Sequence, residues 1–502
     1  MREPEADTET RPRQGPSAAR DTAAAPVGGD PPASEAAPDS QPGPGSEPYP
    51  QADSRPASEP PERDAPRRGA EPRTAMFRSL AIRNYRLFAA GQVVSNTGTW
   101  MQRVAQDWLV LQLSGGSGIA LGLATALQFL PMLLFGLWGG TLVDRVAKRR
   151  LLIATQAAMG LLAAGLGALA TAGAAEVWHV YLFAFALGLV TVVDNPARQT
   201  FVVEMVGDRD LPNAVALNSA SFQFGRVGGP AVAGLLISVI GSGPVFLINA
   251  ASFLAVLGGL WLMRPKELQV TEPAPRTKGQ TMEGVRYVLG RPDLTLLLVM
   301  TIFVQMFGAN VQNQIALMAN NVFETGAAAF GTAAAALAAG ALAGALVAAR
   351  RERPRLRIVL SGALAFGVLQ GVSALAPGYG AFVSVLVLMG VAFMTFTTSL
   401  NATFQLSVDP QMRGRVMSIY MLVFLGVAPI GAPIVGFLAD AFGPRASLGV
   451  GGAVSVVVVL AIAVLLARSL RVRVRFSPLR RPFVRVSAPT DRPIGGASPG
   501  AD

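Results

Sequence analysis

The chain has 502 residues, of which 51% are hydrophobic and only 15% are charged, with 42 Lys and Arg against 31 Asp and Glu. Soluble domains carry about 25% charged residues, so this composition excludes an ordinary soluble protein. Cysteine is absent and His179 is the single histidine, which excludes disulfides, thiolate catalysis, sulfur-ligated metals and histidine-based triads.

The first part of the chain differs in composition from the remainder. Residues 1–75 contain nine Arg, fourteen Asp or Glu and almost no large apolar side chains. Such a segment does not bury enough apolar surface to offset its ordering entropy, so we predict a disordered tail. It also lacks the apolar core of a signal peptide. An inert tail is favoured over a regulatory one.

Twelve apolar stretches follow this tail, each long enough to cross a hydrocarbon core about 30 Å thick. They cover residues 86–113, 119–142, 151–173, 178–198, 212–240, 244–263, 294–318, 327–349, 357–376, 380–404, 414–439 and 446–467. The sequence therefore predicts an all-α membrane protein with twelve transmembrane helices. Because the basic residues lie between these stretches, membrane topology explains them better than a nucleic-acid partner, and none is expected.

The loop charges orient the predicted helices. With a cytoplasmic N-terminus, the inside loops, counted to include Arg198, carry nineteen Lys or Arg and the outside loops carry only Arg445. This asymmetry follows the positive-inside rule and supports the count, because an extra or missing helix would invert every later loop. We predict a bacterial inner-membrane protein with both termini cytoplasmic, a cytoplasmic linker at 264–293 and a basic cytoplasmic tail at 468–502.

The two predicted halves, residues 84–263 and 294–467, resemble each other. The segment 195–199 (Asn-Pro-Ala-Arg-Gln) parallels 401–405 (Asn-Ala-Thr-Phe-Gln), and 228–230 (Gly-Gly-Pro) parallels 431–433 (Gly-Ala-Pro). A duplicated set of six helices is typical of transporters, in which the ligand site lies between the halves near the middle of the membrane. We therefore predict two pseudo-symmetric six-helix bundles.

Polar side chains within the apolar stretches mark a candidate cavity, because each is costly in a membrane unless it is paired or lines a polar space. In the first stretch they recur every three or four residues, on one helix face. Arg103 and Asp107 are one turn apart and can form an ion pair, so a structural and a functional role are equally favoured. The candidate substrate and proton cavity consists of Gln92, Asn96, Thr99, Arg103, Asp107, Asp194, Arg226, Gln305, Gln312 and Asn401.

Residues 139–150 end the second stretch with small residues, an acid and a basic cluster. The acid can accept hydrogen bonds from the N-terminus of a neighbouring helix, where the helix dipole favours negative charge. The pattern resembles motif A of the major facilitator superfamily, with a departure at Ala147. The matching residues are Gly140, Leu142, Asp144, Arg145 and Arg149. The resemblance implies that the glycine, the acid and the two arginines form a conformational latch between the halves.

The fifth stretch is similar to the antiporter motif of the same superfamily. The similarity rests on Gly225, Gly229, Pro230 and Gly234, while Ala233 replaces one glycine of the motif. It implies an exporter that works as a proton antiporter. A seam of small residues that lets two helices approach closely is the alternative interpretation.

Residues 83–467 resemble the branch of the superfamily that contains the bacterial enterobactin exporter and secretion-effector-type permeases. The resemblance rests on the segments 84–88, 100–110 and 194–198. It implies a monomeric transporter that exports drugs, secondary metabolites or siderophores. A nutrient importer and a lysophospholipid flippase remain alternatives within the same fold. An enzyme is not expected, because no catalytic triad, metalloprotease motif or phosphate loop is present.

The residue that couples transport to protons stays open. Drug-antiporter branches of the superfamily carry an arginine within the fourth helix, and residues 181–193 contain none. The basic partner is therefore expected to be Arg103 or Arg226, with Asp107 or Asp194 as the proton carrier. No metal or cofactor is expected, and a proton gradient is the expected energy source. The expected partners are a small-molecule substrate and the lipid bilayer.

Overall fold

The computed structural model of the chain describes residues 73–143, 145–269, 280–350, 355–469, 473–476 and 484–487. The predicted N-terminal tail lies outside these residues except for its last three positions, which begin a 3-10 helix at Arg73–Ala81. In the predicted C-terminal tail, strands β1 (Arg473–Phe476) and β2 (Val484–Ser487) pair in an antiparallel arrangement. The predicted linker contains a 3-10 turn at Pro265–Glu267 and a helix, α6 (Gln280–Leu289).

In the first half, the described residues form five long helices. They are α1 (Arg83–Leu113), α2 (Gly118–Val143), α3 (Lys148–Thr171), α4 (Val177–Ile240) and α5 (Ser242–Leu262). Helix α4 breaks at Gly207, where φ is 67°, a conformation that glycine adopts without steric cost. Its second part runs alongside α1 in the same direction, because Tyr85 donates to the carbonyl of Ala214 and Trp100 meets Gly229. α4 therefore provides two antiparallel crossings.

The described residues of the second half form eight helices, which make six crossings. They are α7 (Pro292–Gly308), α8 (Val311–Asn321), α9 (Gly326–Ala349), α10 (Leu356–Ala374), α11 (Tyr379–Ser407), α12 (Arg413–Gly426), α13 (Ala428–Phe442) and α14 (Pro444–Ser469). Helices α7 and α8 form one crossing, interrupted at Asn310, whose side chain donates to the carbonyl of Met306. Helices α12 and α13 form another, and Pro429 near the start of α13 explains the break between them.

The helices agree with the predicted count of twelve crossings. Ten helical segments in the described ranges are long and apolar enough to span a membrane. Counting α4 twice and adding α1, which is long but more polar, gives twelve. Large apolar side chains such as Trp138, Leu161 and Val239 are more than 60% exposed. Such a surface is unfavourable in water, at about 25 cal/mol per Å², and fits contact with lipid.

The connections define two ends of the helical bundle. We call the end with the turns at 114–117, 322–325 and 375–378 the short-loop end. The other end, with the start of α1, the linker and the end of α14, we call the linker end. The halves pack together along two helix pairs, α2 with α13 and the second part of α4 with α9. Small residues form both contacts: a Cβ on Gly118 would lie 2.7 Å from the carbonyl oxygen of Gly436.

Candidate functional site

The polar face predicted on α1 is buried at Gln92 and Asn96 and exposed at Thr99. Gln92 is buried and accepts a hydrogen bond of 2.7 Å from Arg198. Asn96 is also buried and donates to the hydroxyl of Ser221, at 3.1 Å. One turn further, Thr99 is exposed. The first residues of the predicted face are therefore engaged by other side chains: Gln92 by Arg198, and Asn96 by Ser221 in the second part of α4.

Asp194 lies in a buried polar cluster between α3 and α4. Its side chain is fully buried, pairs with Arg198, and accepts hydrogen bonds from Thr155 at 2.7 Å and Gln156 at 2.8 Å. The prediction that Arg198 belongs to a cytoplasmic loop was wrong, because Arg198 lies within α4 and binds back along the helix to Asp194. The structure places Asp194, predicted as a cavity residue, within the first half and away from the contacts between the halves. The fourth crossing thus contains a basic partner for Asp194 in Arg198, which lies five residues beyond the segment 181–193.

Arg103 and Asp107 do not form the ion pair that their spacing allows; within the described residues Asp107 is held by another side chain. Gln312 of α8 donates to its carboxylate at 2.8 Å. The guanidinium of Arg103 instead stacks over two aromatic rings, 5.0 Å from the centre of Trp100 and 5.2 Å from that of Phe129. The hydrogen bond between Gln312 and Asp107 joins the two halves of the protein.

Arg226 lies near the middle of the second part of α4, beside the same indole. Its guanidinium carbon is 5.9 Å from the centre of the Trp100 ring. Phe222, one turn earlier on α4, contacts the edge of that indole with ring centres 5.6 Å apart. The two predicted cavity arginines therefore share one aromatic side chain, an arrangement that cation–π attraction stabilises.

The predicted cavity residues of the second half occupy three different places. Gln312 binds Asp107, as described above. Gln305 is buried and donates to the carbonyl of Phe424 at 3.3 Å, within its own half. Asn401 lies near the linker end of α11 and accepts a hydrogen bond from Gln405 at 2.6 Å. The structure therefore brings only Gln312 together with the polar face of α1.

The short-loop end is closed by polar contacts between the halves. Asp440, at the end of α13, accepts hydrogen bonds from the backbone of Gly118 at 2.5 Å and Ile119 at 3.0 Å, and from the hydroxyl of Ser117 at 2.9 Å. Asn313 donates to the hydroxyl of Thr125 at 3.0 Å. All hydrogen bonds between the halves that the described residues form lie in this part of the bundle.

Of the residues of the predicted latch, Arg149 makes its hydrogen bonds within the first half. Arg149 donates to the carbonyl of Leu260 at 2.8 Å, near the C-terminus of α5, where a cation is favoured. Arg145 is exposed and Gly140 lies in α2. Asp144 lies outside the described residues, so the latch between the halves stays a prediction.

The glycines that resemble the antiporter motif face two different helices. A Cβ on Gly225 would lie 2.9 Å from the backbone carbon of Asn96, and one on Gly229 would lie 2.7 Å from the Cβ of Trp100. On the other side, a Cβ on Gly234 would lie 2.7 Å from the carbonyl oxygen of Ala327 in α9. Pro230 lies between these contacts and is itself buried. The motif thus packs α4 against α1 and joins the halves, as the alternative interpretation of a small-residue seam predicts.

Comparison with known proteins decides the family. The model of the transmembrane secretion effector family matches residues 74–480. The chain belongs to this family. The staphyloferrin A transporter of Staphylococcus aureus is 24% identical to it over 353 residues, which are 69% of this chain and 87% of that protein. The multidrug efflux pump Tap of Mycobacterium tuberculosis is 27% identical over 446 residues, 82% and 97% of the two chains.

The fold agrees with solved structures of major facilitator superfamily transporters. A bacterial homologue of the human lysosomal transporter Spinster, in an inward-facing and unoccupied conformation, aligns with a TM-score of 0.57 and 16% identity. The alignment covers 76% of this chain and 96% of that one. The predicted superfamily and its twelve-helix fold are therefore confirmed. This secretion effector family member is a multi-pass membrane transporter and not an enzyme.

Two residues important to this transporter were missed by sequence reasoning. Arg198 had a signal, because Asp194 precedes it by one helical turn in a stretch where charges are costly. Asp440 is a single acid at the end of an apolar stretch, and only the packing of α13 against α2 identifies its partner.

Proposed function

We propose that the protein is a secondary transporter of the bacterial inner membrane that exports small amphipathic molecules in exchange for protons by alternating access. One observation carries the proposal: the polar contacts between the halves gather at the short-loop end and include an intramembrane carboxylate, Asp107, bound to Gln312 across the interface. A transporter that alternates between two states needs such contacts to form in one state and break in the other.

The distribution of basic side chains supports a cytoplasmic linker end. Arg145, Arg150, Arg355 and Arg413 are all exposed there, while Arg445 at the short-loop end donates to the carbonyls of Ala374 and Ala376. The positive-inside rule then assigns both termini to the cytoplasm. In this orientation the closed end faces outward, so the conformation corresponds to an inward-facing transporter.

Asp107 is the carboxylate that best suits proton coupling. An ionised carboxylate only accepts hydrogen bonds, and the amide of Gln312 donates to it across the halves. Protonation removes the negative charge and weakens this bond, which favours opening of the short-loop end. Asp194 suits the role less well, because Arg198, Thr155 and Gln156 already bind it in a buried cluster.

The direction of transport rests on the relatives. A multidrug efflux pump and a siderophore transporter, both similar along most of their length, support export of small molecules. The small-residue contacts of α4 do not by themselves distinguish an antiporter. The latch prediction for Gly140, Asp144, Arg145 and Arg149 belongs to the same proposal, as a contact that forms when the linker end closes.

Inverted membrane vesicles with an acidified interior test the proposal. Adding an exported compound from a panel of antibiotics, dyes and siderophores should release protons from the vesicles, as reported by a pH-sensitive dye. Asp107→Asn should abolish this release while the protein is still inserted at normal levels. Asp208→Asn is the matched control, because Asp208 is exposed beside the break of α4 at Gly207. Coupled transport that persists in Asp107→Asn would remove Asp107 from the mechanism.

The same vesicles separate the alternative functions. A nutrient importer would move its substrate out of inverted vesicles, opposite to the direction expected here. A lysophospholipid flippase would move fluorescent lysophospholipid between the leaflets and leave water-soluble compounds untransported.

A further inference from the structure

We propose that Arg103, Arg226 and Trp100 form a binding site for an organic anion with an aromatic or apolar body. This inference rests on the proposed transport function and names the class of substrate. Arg103 extends from α1 and Arg226 from the second part of α4. Both guanidinium carbons lie within 6 Å of the centre of the Trp100 ring, so the two positive charges share one aromatic side chain.

Neither arginine forms a direct ion pair with a described residue: Asp107, one turn along α1, attracts Arg103 without a salt bridge, and Arg226 faces the positive charge of Arg103. Asp194 is paired with Arg198, and Glu204 with Lys148 at 2.6 Å. Asp107 is bound by Gln312. Among the described residues, neither Arg103 nor Arg226 donates a hydrogen bond, and the groups packed closest against both guanidinium groups are aromatic rings. With Asp107 ionised, this part of the membrane interior therefore carries excess positive charge.

Unpaired guanidinium groups within a membrane point to a ligand. A guanidinium has five N–H donors and no acceptor, and it is costly in a membrane interior unless it is paired or lines a polar space. An anionic group is the chemistry that supplies both the missing charge and the missing acceptors, and carboxylates match the planar fork of arginine. A permanent cation would instead be repelled by both side chains.

The protein backbone holds the two arginines in place. Gly225 and Gly229 lie on either side of Arg226 in the sequence, and both let α4 pack closely against α1. Larger residues at these two positions would clash with Asn96 and Trp100. The position of Arg226 relative to Trp100 is therefore set by helix packing and not by a bond of its own.

The aromatic residues around the arginines supply the second half of the recognition. Phe222 contacts the edge of Trp100 and is 47% exposed, so part of its ring is open to a ligand. Phe129 of α2 lies below Arg103. A ligand with a carboxylate at the arginines and a flat apolar body against Phe222 would use both features.

Binding to the purified, full-length protein in lipid nanodiscs tests the site, by calorimetry with two probes of equal shape. Naphthalene-2-carboxylate carries the anionic group, and 2-naphthamide is its neutral counterpart. We expect the carboxylate to bind at least tenfold more tightly than the amide, because hydrogen bonds to charged groups are the stronger ones. Arg103→Gln and Arg226→Gln should each reduce the affinity for the carboxylate about tenfold and leave that for the amide nearly unchanged.

Three further variants control for folding and for surface charge. Arg103→Lys and Arg226→Lys keep the charge and should retain more affinity than the glutamine variants. Arg150→Gln removes an exposed arginine at the linker end and should have no effect. Equal affinity for the two probes, or unchanged carboxylate affinity in both glutamine variants, would overturn the anion site. Export of neutral or cationic compounds but of no anions would also overturn the anion site. Absence of any export would refute the proposed transport function, while the binding measurement would still test the anion site.

Discussion

Removing the charge of Asp440 should open the short-loop end of the protein. In the closed structure this carboxylate caps the N-terminus of α2 from the opposite half, with three hydrogen bonds of 2.5–3.0 Å to Gly118, Ile119 and Ser117. In Asp440→Asn one of the two acceptor oxygens becomes an NH₂ group, which faces backbone N–H donors and binds none of them. These contacts join the halves, so their loss destabilises the closed state more than an open one.

The size of the effect follows from the number and kind of bonds lost. A hydrogen bond to a charged group contributes about 1.5–3 kcal/mol, and a negative charge at a helix N-terminus adds about 0.3–1 kcal/mol. Asp440 is exposed, and solvent screening of exposed charges reduces the effect below the summed lower limit of about 1.8 kcal/mol, to about 1.4 kcal/mol. That free energy corresponds to a tenfold shift in the equilibrium between closed and open states.

Distances between two spin labels measure this equilibrium directly. The chain has no cysteine, so cysteines introduced at the exposed positions Ala174 and Leu375 are the only labelling sites, one in each half at the short-loop end. Asp440→Asn should raise the population with the longer distance about tenfold, and Asp208→Asn, far from the closure, should not. An unchanged distance distribution in Asp440→Asn would refute the capping role.

Two stability predictions follow from the packing of α4. Gly229→Val should destabilise the protein by about 1–3 kcal/mol through overpacking, because a Cβ at this position would lie 2.7 Å from the Cβ of Trp100. Gly228→Ala should be tolerated, since nothing lies within 4 Å of a Cβ at that position. Equal unfolding midpoints of the two variants would contradict the packing argument. Arg198→Gln leaves Asp194 charged and buried and should cost about 3–5 kcal/mol, measured by reversible unfolding in detergent. Adding Asp194→Asn to that variant should recover part of the loss, and a double variant less stable than Arg198→Gln would exclude the ion pair as the cause.

The membrane as solvent explains why the positions of the helices could be predicted. A crossing needs about 20 apolar residues, and lipid satisfies no backbone hydrogen bonds, so apolar stretches of that length become helices. All twelve predicted stretches coincide with helical segments, including the pairs α7–α8 and α12–α13. The structure also places Gly225 and Gly229 against α1, in the close helix contact that the small-residue interpretation predicts.

The partners of the charged residues were decided only by the tertiary structure. Spacing along α1 placed Arg103 and Asp107 on one face, but it could not tell that α8 brings Gln312 to Asp107 or that Trp100 lies beneath both Arg103 and Arg226. Sequence periodicity fixes which face of a helix a side chain occupies. The helix that meets this face is chosen by packing among all twelve crossings, and a costly intramembrane charge takes whichever partner that packing supplies.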